Sequence, residues 1–540
     1  MILNIRKHSS DNIEFNKILN KKLLNLRKPY TDWIDNLSKK SSDNLDWWIL
    51  NVATRDLNCS DLYSFICILD SLKDFLGKEK VSLVTVDSIY LKNTIAKRFD
   101  NKIKVKLNRK FSFVSILKKK LSFIHVIVFH LIVFTLSNRK KINKKGSIFY
   151  DTFLNSKLDK SRYYSAIIKK ILKNKNSYLI PSFHSQEKIY STLPKLINSR
   201  KSKNILLKEG FLSIKDLLYS FLIVIRKRNF LKKKVVFKDF DLTEIYNSEI
   251  LNNNSFSSQI IAQNNYFFFK QLSKEKINIK KMINLFENQI IDKGWNLGVN
   301  KFHSKTKTYG YQNFSNFSQY MHYNPSKIEA SSGVIPKKIL VIGNSYIKLR
   351  KEFCKNLNID VAPAINHQYL YKNLNSNSKK KNYFITIILS GFLIDDMKLI
   401  DWCLKSNIHN HFEKIYLKTH AILSQRKIRT IFSKLPKNYF FINLDFIKTI
   451  NSSKFLISAG GTSAIYEMIL LKKKLIIPEI NPYDRKNVID LNLNLGNVKF
   501  VRDPKLLKNL INENIFKSKN SVKLNNYFKK IDAKNINIFF

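Results

Sequence analysis

Cysteine is scarce in this 540-residue chain, and its scarcity limits the class of protein. The four cysteines are Cys59, Cys67, Cys354 and Cys403, and no two of them have the C-x-x-C spacing of a zinc or redox site. Such a low number excludes a disulfide-rich secreted scaffold and is typical of a reducing cytoplasm. The opening residues have no apolar core, so no secretory signal is predicted. With 44% apolar residues, the composition is not that of a disordered protein.

Acidic residues are also few. The chain has 40 Asp and Glu against 96 Lys and Arg, which gives a formal net charge of +56. This imbalance predicts attraction to polyanions, which could be nucleic acid, an anionic membrane surface or a phosphate-bearing substrate. The sequence has no RRM or zinc-finger signature, and its lysines are spread along the chain. The membrane surface and the anionic substrate are therefore favoured, and no nucleic-acid partner is expected.

No apolar run is long enough for an ordinary membrane-spanning helix. The longest run is Leu121–Leu136, with 16 residues against the ~20 that a span needs, and it lies between Lys118–Lys120 and Arg139–Lys141. It predicts a helix in the membrane interface, with a buried core helix as the alternative. A second apolar stretch followed by basic residues starts at Asp216. These segments predict a cytoplasmic protein, peripheral on the inner face of the cell membrane.

Strands and helices alternate along the C-terminal half. Strands are predicted at 338–342, 383–389, 414–417, 439–442 and 498–501, with helices between them, and this alternation is typical of a doubly wound parallel sheet. Earlier strands are predicted around VSLVTVDS and GSIFYDTF. The domain prediction is a helical segment at 1–80, an acceptor-side domain at 81–325 with insertions near 111–141 and 216–234, a nucleotide-binding domain at 337–515, and a tail at 516–540.

Residues 454–478 read as strand, glycine turn, helix and strand. The strand ends near Ser458, Gly460 and Gly461 allow a sharp turn, and Thr462 and Ser463 can cap the helix that follows. Such a unit directs backbone N–H groups and a helix N-terminus at one point outside the sheet, which suits a phosphate. The alternative is an ordinary βαβ unit with a turn of small residues.

Two cationic residues are predicted near that turn. Lys418 and His420 follow another strand, and the carboxyl ends of parallel strands share one rim with Gly343, Ser390 and Gly460. Together they could hold a phosphate, and Glu467 could accept hydrogen bonds from a ribose. The alternatives are a solvated lysine at a strand end and a structural histidine at a helix start.

Four segments of the chain resemble a known family. KIYLKTHA from Lys414 and FLISAGGTSAIYEMILLKKKLIIPE from Phe455 resemble the C-terminal domain of GT-B glycosyltransferases. ENQIIDKGWN from Glu287 and TKTYGYQNF from Thr306 are similar to elements of the bacterial surface-carbohydrate transferases of capsule and O-antigen biosynthesis. The resemblance covers about 280–505. The sequence departs from the family pattern at Ala421, where many relatives have proline, and at Asn313, where they have histidine.

The resemblance implies an α/β protein with two Rossmann-like domains facing each other across a cleft, the GT-B architecture. It implies a transferase that moves a sugar from a nucleotide-sugar donor to a glycan or lipid-linked acceptor, with no cofactor and no metal. No D-x-D motif of the metal-dependent sugar transferases is expected in the chain, which agrees with a reaction without metal. Lys418, His420 and the backbone of 460–463 would stabilise the leaving phosphate. A carboxylate of the N-terminal domain would act as the base.

Three candidates for that base stand near predicted strand ends: Asp87, Asp151 and Glu209. Each could instead be a helix cap or an ion-pair partner, and Asp151 is preferred because it follows an apolar strand directly. Two other functions stay open. One is a polyol-phosphate or sugar-phosphate transferase on the same fold, and the other is a non-enzymatic basic protein that binds membranes or nucleic acid.

Overall fold

Three sheets and a short hairpin organise the chain. The computed structural model describes residues 1–6, 9–99, 103–108, 113–153, 163–185, 189–315, 317–373, 383–420, 423–432, 435–491, 495–514, 516 and 524–540. The strands are β1 (Ile2–Arg6), β2 (Ser9–Ser10), β3 (Leu83–Val86), β4 (Lys104–Leu107), β5 (Ser147–Thr152), β6 (Ser177–Pro181), β7 (Val236–Phe237), β8 (Phe240–Asp241), β9 (Ile279–Leu285), β10 (Lys307–Gln312), β11 (Lys338–Val341), β12 (Ile359–Val361), β13 (Tyr383–Ile388), β14 (Ile415–Lys418), β15 (Tyr439–Phe441), β16 (Ser453–Ser458), β17 (Leu475–Pro478) and β18 (Val498–Val501).

Helices connect these strands and cover the sheets. The α-helices are α1 (Ile13–Asn25), α2 (Arg27–Ser38), α3 (Leu45–Trp48), α4 (Asn51–Thr54), α5 (Leu62–Leu76), α6 (Ile89–Arg98), α7 (Phe113–Leu136), α8 (Ile168–Lys173), α9 (Ile189–Lys201), α10 (Ile214–Phe221), α11 (Ile223–Arg226), α12 (Thr243–Leu251), α13 (Phe256–Lys274), α14 (Ile290–Phe302), α15 (Lys327–Ser331), α16 (Ile347–Arg350), α17 (Tyr369–Asn373), α18 (Leu393–Lys405), α19 (Gln425–Ile431), α20 (Phe446–Ser452), α21 (Ala464–Leu470), α22 (Asp484–Ile489) and α23 (Leu507–Glu513).

The N-terminal sheet has the order β2-β1-β3-β4. In it, β3 pairs in parallel with β1, so that Ile2 lies opposite Leu83, and β4 pairs with β3. The strand read from VSLVTVDS therefore joins the first residues of the chain, although the sequence suggested only helices before position 80. The pairing links segments about 80 residues apart, and no local pattern reports such a contact.

The first six-stranded sheet has the order β12-β11-β10-β9-β5-β6, and all its strand pairs are parallel. The chain direction across the sheet reverses between β5 and β9, which is the point where doubly wound sheets bind ligands. β11 belongs here, with Lys338 opposite Tyr309, whereas the sequence placed this strand at the start of the following domain. Gly343, which follows β11, therefore lies at the rim of the first sheet and not beside Gly460.

Helices α13 and α14 pack closely behind this sheet because glycines face the contact. A Cβ atom on Gly294 would lie 1.8 Å from the carbonyl oxygen of Ala262, and one on Gly298 would lie 3.0 Å from the Cα atom of Tyr266. The backbones can approach this closely only without side chains at those positions. ENQIIDKGWN, which contains Gly294, is thus partly a packing element.

The Gly294→Ala variant is expected to lower the free energy of unfolding by about 2–3 kcal/mol, because one helix must move away from the other to admit a methyl group. Denaturant unfolding followed by circular dichroism measures it. Gly77→Ala is the matched control, since its Cβ would lie 3.6 Å from the nearest heavy atom. A Gly294→Ala variant as stable as that control would contradict the close helix contact.

The second six-stranded sheet has the order β15-β14-β13-β16-β17-β18, again with parallel pairs throughout. Numbered along the chain, this is the Rossmann order 3-2-1-4-5-6, and it reverses between β13 and β16. Both strands carry apolar residues on both faces, as sheets covered by helices on two sides require. The predicted α/β class with two Rossmann-like domains is confirmed.

The last residues of the chain return to the first sheet. The backbone N–H of Lys529 donates to the carbonyl of Ile342 at 2.7 Å. The ring of Phe539 packs edge-on against Tyr311 with 5.1 Å between ring centroids, and Lys281 donates through Nζ to the carbonyl of Ile538 at 3.0 Å. These contacts attach the C-terminal tail, which follows the second domain, to the first domain.

Candidate functional site

The rim of the second sheet brings several predicted residues together around Ile388, the last residue of β13. Lys418 pairs with Ile388 from one side and Ser458 from the other. The Ser458 hydroxyl donates to the carbonyl of Ile388 at 3.2 Å, and the N–H of Leu389 donates to the carbonyl of Lys418 at 3.0 Å. Since neighbouring strands lie about 4.8 Å apart, the Lys418 and Ser458 backbones are roughly 10 Å apart at this edge.

His420 lies over the turn that follows β13. A Cβ atom on Gly391 would lie 2.7 Å from Nδ1 of His420, and Gly391 has a φ of +90°, so glycine both makes the turn and admits the imidazole. Asp396 fixes the same turn, because its carboxylate accepts from the N–H groups of Ser390 and Gly391 at 2.6 and 2.9 Å. The cationic pair and the Gly460 turn therefore flank one strand end. Ala421, the next residue, lies outside the described part of the chain.

One N–H group of the glycine turn is already bound. Gly460 donates to Oδ1 of Asp484 at 3.0 Å, and Oδ2 of that carboxylate accepts from the N–H groups of Ile480 and Asn481 at 2.9 and 2.7 Å. A Cβ atom on Gly460 would lie 2.4 Å from the Cα atom of Asp484, so this glycine is needed for packing. Burial raises the pKa of Asp484 to about 7. The structure thus assigns Gly460 a contact that the sequence did not suggest.

Gly461 instead faces the first domain. A Cβ atom there would lie 3.0 Å from Nε2 of Gln319, in the loop that follows β10. Asn487 joins the two sides, because its Nδ2 donates to Oε1 of Gln319 at 2.9 Å and to the carbonyl of Gly460 at 3.1 Å. The N–H of Ser318 donates back to Asn487 at 2.7 Å. The rims of the two six-stranded sheets therefore face each other here.

The predicted caps make weak or different contacts. Oγ1 of Thr462 accepts from the N–H of Ala464 at 3.4 Å, and Ser463, at the N-cap of α21, makes no side-chain capping hydrogen bond. Neither hydroxyl therefore acts as the standard cap of α21 that the sequence predicts.

Glu467 is held by residues of the connection between the domains. Its Oε2 accepts from the hydroxyl of Tyr369, and its Oε1 lies 3.3 Å from Nδ1 of His367. His367 in turn stacks on Phe528 of the tail with 4.3 Å between ring centroids. Only 5% of Glu467 is exposed. This carboxylate is therefore engaged in joining the domains, a role that the sequence did not indicate.

At the rim of the first sheet, Asp151 and Glu209 meet around a buried lysine. Asp151 is the penultimate residue of β5 and accepts from the N–H of Leu285 at 3.4 Å. Lys208 donates through Nζ to Oγ of Ser182 at 2.8 Å. Burial raises the pKa of Asp151 to about 7, although the nearby Lys208 ammonium opposes this rise. Burial also raises the pKa of Glu209. Within the described residues, Oδ1 of Asp151 has no hydrogen-bond partner.

Asp87 lies elsewhere. It follows β3 in the N-terminal sheet, is exposed, and precedes Ser88, whose hydroxyl accepts from the N–H of Leu91 as the cap of α6. The structure therefore separates Asp87 from the other two carboxylates. Of the three candidates, it is the one with the surroundings of a solvated strand-end charge.

Sequence reasoning missed Glu287 and the charge network behind it. Glu287 follows β9 at the same rim as Asp151, is half-buried, and accepts from Nε2 of Gln289 at 2.9 Å. Behind it, the buried Lys293 donates to Glu329 and to Oδ1 of Asn288, both at 2.5 Å. The ENQIIDK element could have suggested Glu287 as a candidate site residue. Its asparagine and lysine instead take part in a buried ion-pair network.

The expectation of a reaction without metal needs one correction, since it went with the supposed lack of a D-x-D triplet. Asp239, Phe240 and Asp241 form such a triplet at the β7–β8 hairpin. Asp239 pairs with Lys73 and Arg98, and hydrogen bonding from Lys73 lowers its pKa to about 2. The triplet contacts the N-terminal unit and stands at neither six-stranded rim. Within the described residues, no group of three or more His, Cys, Asp or Glu is placed to hold a metal.

Asn313, which stands where the family pattern has histidine, is 7% exposed and donates through Nδ2 to the carbonyl of Tyr163 at 3.4 Å. A histidine lies further along the same loop: His322 is buried, with Nδ1 3.5 Å from Oδ1 of Asp56, and burial lowers its pKa. The loop after β10 therefore has a neutral histidine, but nine positions further along.

Comparisons with known proteins return solved structures only. No protein-family model matches, and no curated protein matches by sequence. A glycosyltransferase from Rickettsia africae is 13% identical over 74% of this chain and 98% of its own, with a TM-score of 0.39. Acinetobacter baumannii MurG is 9% identical over 68% and 90%, with a TM-score of 0.35. A UDP co-structure of S. aureus MnaA is 12% identical over 69% and 90%, with a TM-score of 0.38.

Proposed function

We propose that this protein is a glycosyltransferase that moves a sugar from a nucleotide-activated donor to a bacterial surface-polysaccharide acceptor. The observation that supports it most is the rim of the second sheet, where Lys418 and the Ser458–Gly461 turn flank the end of β13. A cation and a glycine turn at the reversal of a Rossmann sheet suit a nucleotide diphosphate. The first domain faces this point through Gln319.

The donor diphosphate would lie between Lys418, His420 and the backbone of 461–463. When the bond from the sugar to the phosphate breaks, negative charge develops on the leaving phosphate oxygen, and these groups would stabilise it. Because Gly460 already donates to Asp484, the N–H groups for the phosphate would come from the residues after it. Glu467 can bind the ribose only if its contacts with Tyr369 and His367 are first broken.

The acceptor would bind at the rim of the first sheet. Asp151 is proposed as the base that removes the proton of the attacking hydroxyl, since its free Oδ1 and a pKa raised to about 7 suit proton transfer near neutral pH. Glu209 shares Lys208 with it and is the alternative on the same side. Asp151 is only 1% exposed, so the residues around it must move apart when the acceptor binds. The reaction is proposed to need no metal and no cofactor.

A panel of nucleotides tests the donor class. UDP, GDP, CMP, CDP and TDP are added separately, and one of them is expected to raise the melting temperature because it binds the folded protein selectively. Lys418→Ala and His420→Ala are expected to weaken binding of that nucleotide by roughly 10- to 100-fold, since each removes a charged contact to phosphate. Lys427→Ala, an exposed lysine of α19, is the control.

A second panel, of nucleotide sugars and nucleotide polyols, separates the other functions. A polyol-phosphate transferase would respond to nucleotide-polyol donors and not to nucleotide sugars. A non-enzymatic basic protein would bind no nucleotide and would bind DNA with a steep dependence on salt. Equal affinity of the Lys418→Ala and Lys427→Ala proteins would contradict the proposed donor site.

A further inference from the structure

Helix α7 has an apolar face that the described residues of the chain leave exposed. Its inward side is buried through Phe129, His130 and Val133. The opposite side carries Leu121, Ile124, Val128 and Leu131, exposed by 57, 56, 46 and 40%. Their spacing of three and four residues places them on one stripe along the helix. A soluble surface rarely leaves such a stripe in water without a partner.

Helices α10 and α11 repeat the arrangement. Leu217 and Ile223 are buried, whereas the outward residues Ile214, Leu218, Leu222 and Ile225 are exposed by 66, 54, 48 and 60%. The capping box of Ser213 and Asp216 fixes the start of α10, so this stripe belongs to an ordered helix. Two separate segments, α7 and the α10–α11 pair, thus present exposed leucine, isoleucine and valine side chains.

Helices α7 and α10 lie on the same side of α13. Phe123 of α7 stacks on Phe256, and Nε2 of His130 lies 3.0 Å from Oγ of Ser257. Tyr219 of α10 packs edge-on against Phe267. Viewed down its axis, α13 contacts α7 and α10 through residues on one half of its circumference. Ala262, which contacts α14, lies on the other half. The two apolar stripes therefore face outward on one side of the first domain.

Basic residues border these stripes. After α7 the exposed cations are Arg139, Lys141, Lys144 and Lys145. Around α10 and α11 they are Lys215, Arg228, Lys232, Lys233 and Lys234. Apolar side chains beside a row of lysines match an anionic lipid surface, which attracts each cation that lies near it. Over the described residues, no helix has the length and hydropathy to cross a membrane, so the helices would lie along its surface.

We infer that this face, formed by the outward sides of α7, α10 and α11, is a docking surface for an anionic lipid bilayer. The leucine and isoleucine side chains enter the acyl region, and the flanking lysines contact the headgroups. The surface belongs to the domain proposed to bind the acceptor, so the inference adds a membrane partner to the proposed function. It rests on that proposal only for the identity of the acceptor, since lipid binding needs no donor.

Flotation with lipid vesicles tests this surface. The wild-type protein is expected to float with vesicles that contain roughly 30% phosphatidylglycerol and far less with pure phosphatidylcholine, and salt should weaken the binding. The pairs Ile124→Glu with Val128→Glu, and Leu218→Glu with Leu222→Glu, should each reduce binding at least tenfold. Leu506→Glu is the control, because Leu506 is 53% exposed and lies beyond β18, in the second domain.

Two measurements keep the result interpretable. Each variant should keep the melting temperature and the nucleotide-induced shift of the wild type, so that lost flotation reports the surface and not unfolding. If the wild type does not bind anionic vesicles, or if both pairs bind as well as Leu506→Glu, the inference is wrong. Light scattering that shows a wild-type dimer, which either pair of substitutions breaks, would also overturn it in favour of a second copy of the chain.

Discussion

Replacing Gly461 with leucine is expected to reduce nucleotide binding more than 100-fold. The first side-chain atom would already lie 3.0 Å from Nε2 of Gln319 and 4.0 Å from Oδ2 of Asp395, and a leucine would fill the space between the rims where the diphosphate is proposed to lie. A loss of this size corresponds to ~2.7 kcal/mol. Isothermal titration calorimetry with the nucleotide found in the panel measures it.

Gly461→Ala is the graded control for this substitution. Its methyl group meets only the end of a flexible glutamine side chain, so binding should fall by less than about tenfold. Gly460 is unsuitable as a control because its Cβ would meet the backbone of Asp484. Unchanged affinity in a folded Gly461→Leu protein would remove the glycine turn from the donor site.

The Asp151→Asn variant is expected to lower kcat by about 10²- to 10⁴-fold, because the amide cannot accept the proton of the acceptor hydroxyl. Initial rates of sugar transfer measure this loss. In the wild type, the rate should rise with pH through about 7, since burial raises the pKa of Asp151 to about 7 and the base works only when ionised. The variant should lack this rise.

Stability separates this loss from unfolding. The pKa of Asp151 is higher in the folded chain than the ordinary value of 3.8, so its contribution to stability is present at low pH and is lost as the pH rises through about 7. At about pH 8 the asparagine variant should therefore be no less stable than the wild type.

Asp87→Asn, on the separate N-terminal sheet, should change neither rate nor stability. If Glu287→Gln abolishes the pH dependence and Asp151→Asn leaves it, the base is Glu287.

The periodic second half of the chain was predictable from sequence. Short apolar strands alternate there with helices, and the structure places Lys418, His420, Ser458 and Gly461 at one rim, as the rule for parallel sheets requires. Local pattern suffices in this region because each strand is followed closely by the turn and helix that complete its unit.

Contacts between distant segments were not predictable. The pairing of β1 with β3, the hydrogen bond from Gly460 to Asp484, and the engagement of Glu467 by Tyr369 each join residues that share no pattern in sequence. In a sequence, a glycine suggests a backbone that can turn sharply. Gly294 and Gly460 are needed for another reason, because another backbone lies against them. Charge alone likewise did not show that Lys208 and Lys293 are buried.

Hydrogen–deuterium exchange tests the central claim, a donor site at the rim of the second sheet, most directly. With the nucleotide that raises the melting temperature, backbone amides of 388–391, 415–420 and 458–464 should exchange more slowly, because the ligand holds the ends of β13, β14 and β16 closed. Protection confined to the N-terminal sheet, or none at these three segments under saturating nucleotide, would contradict the account.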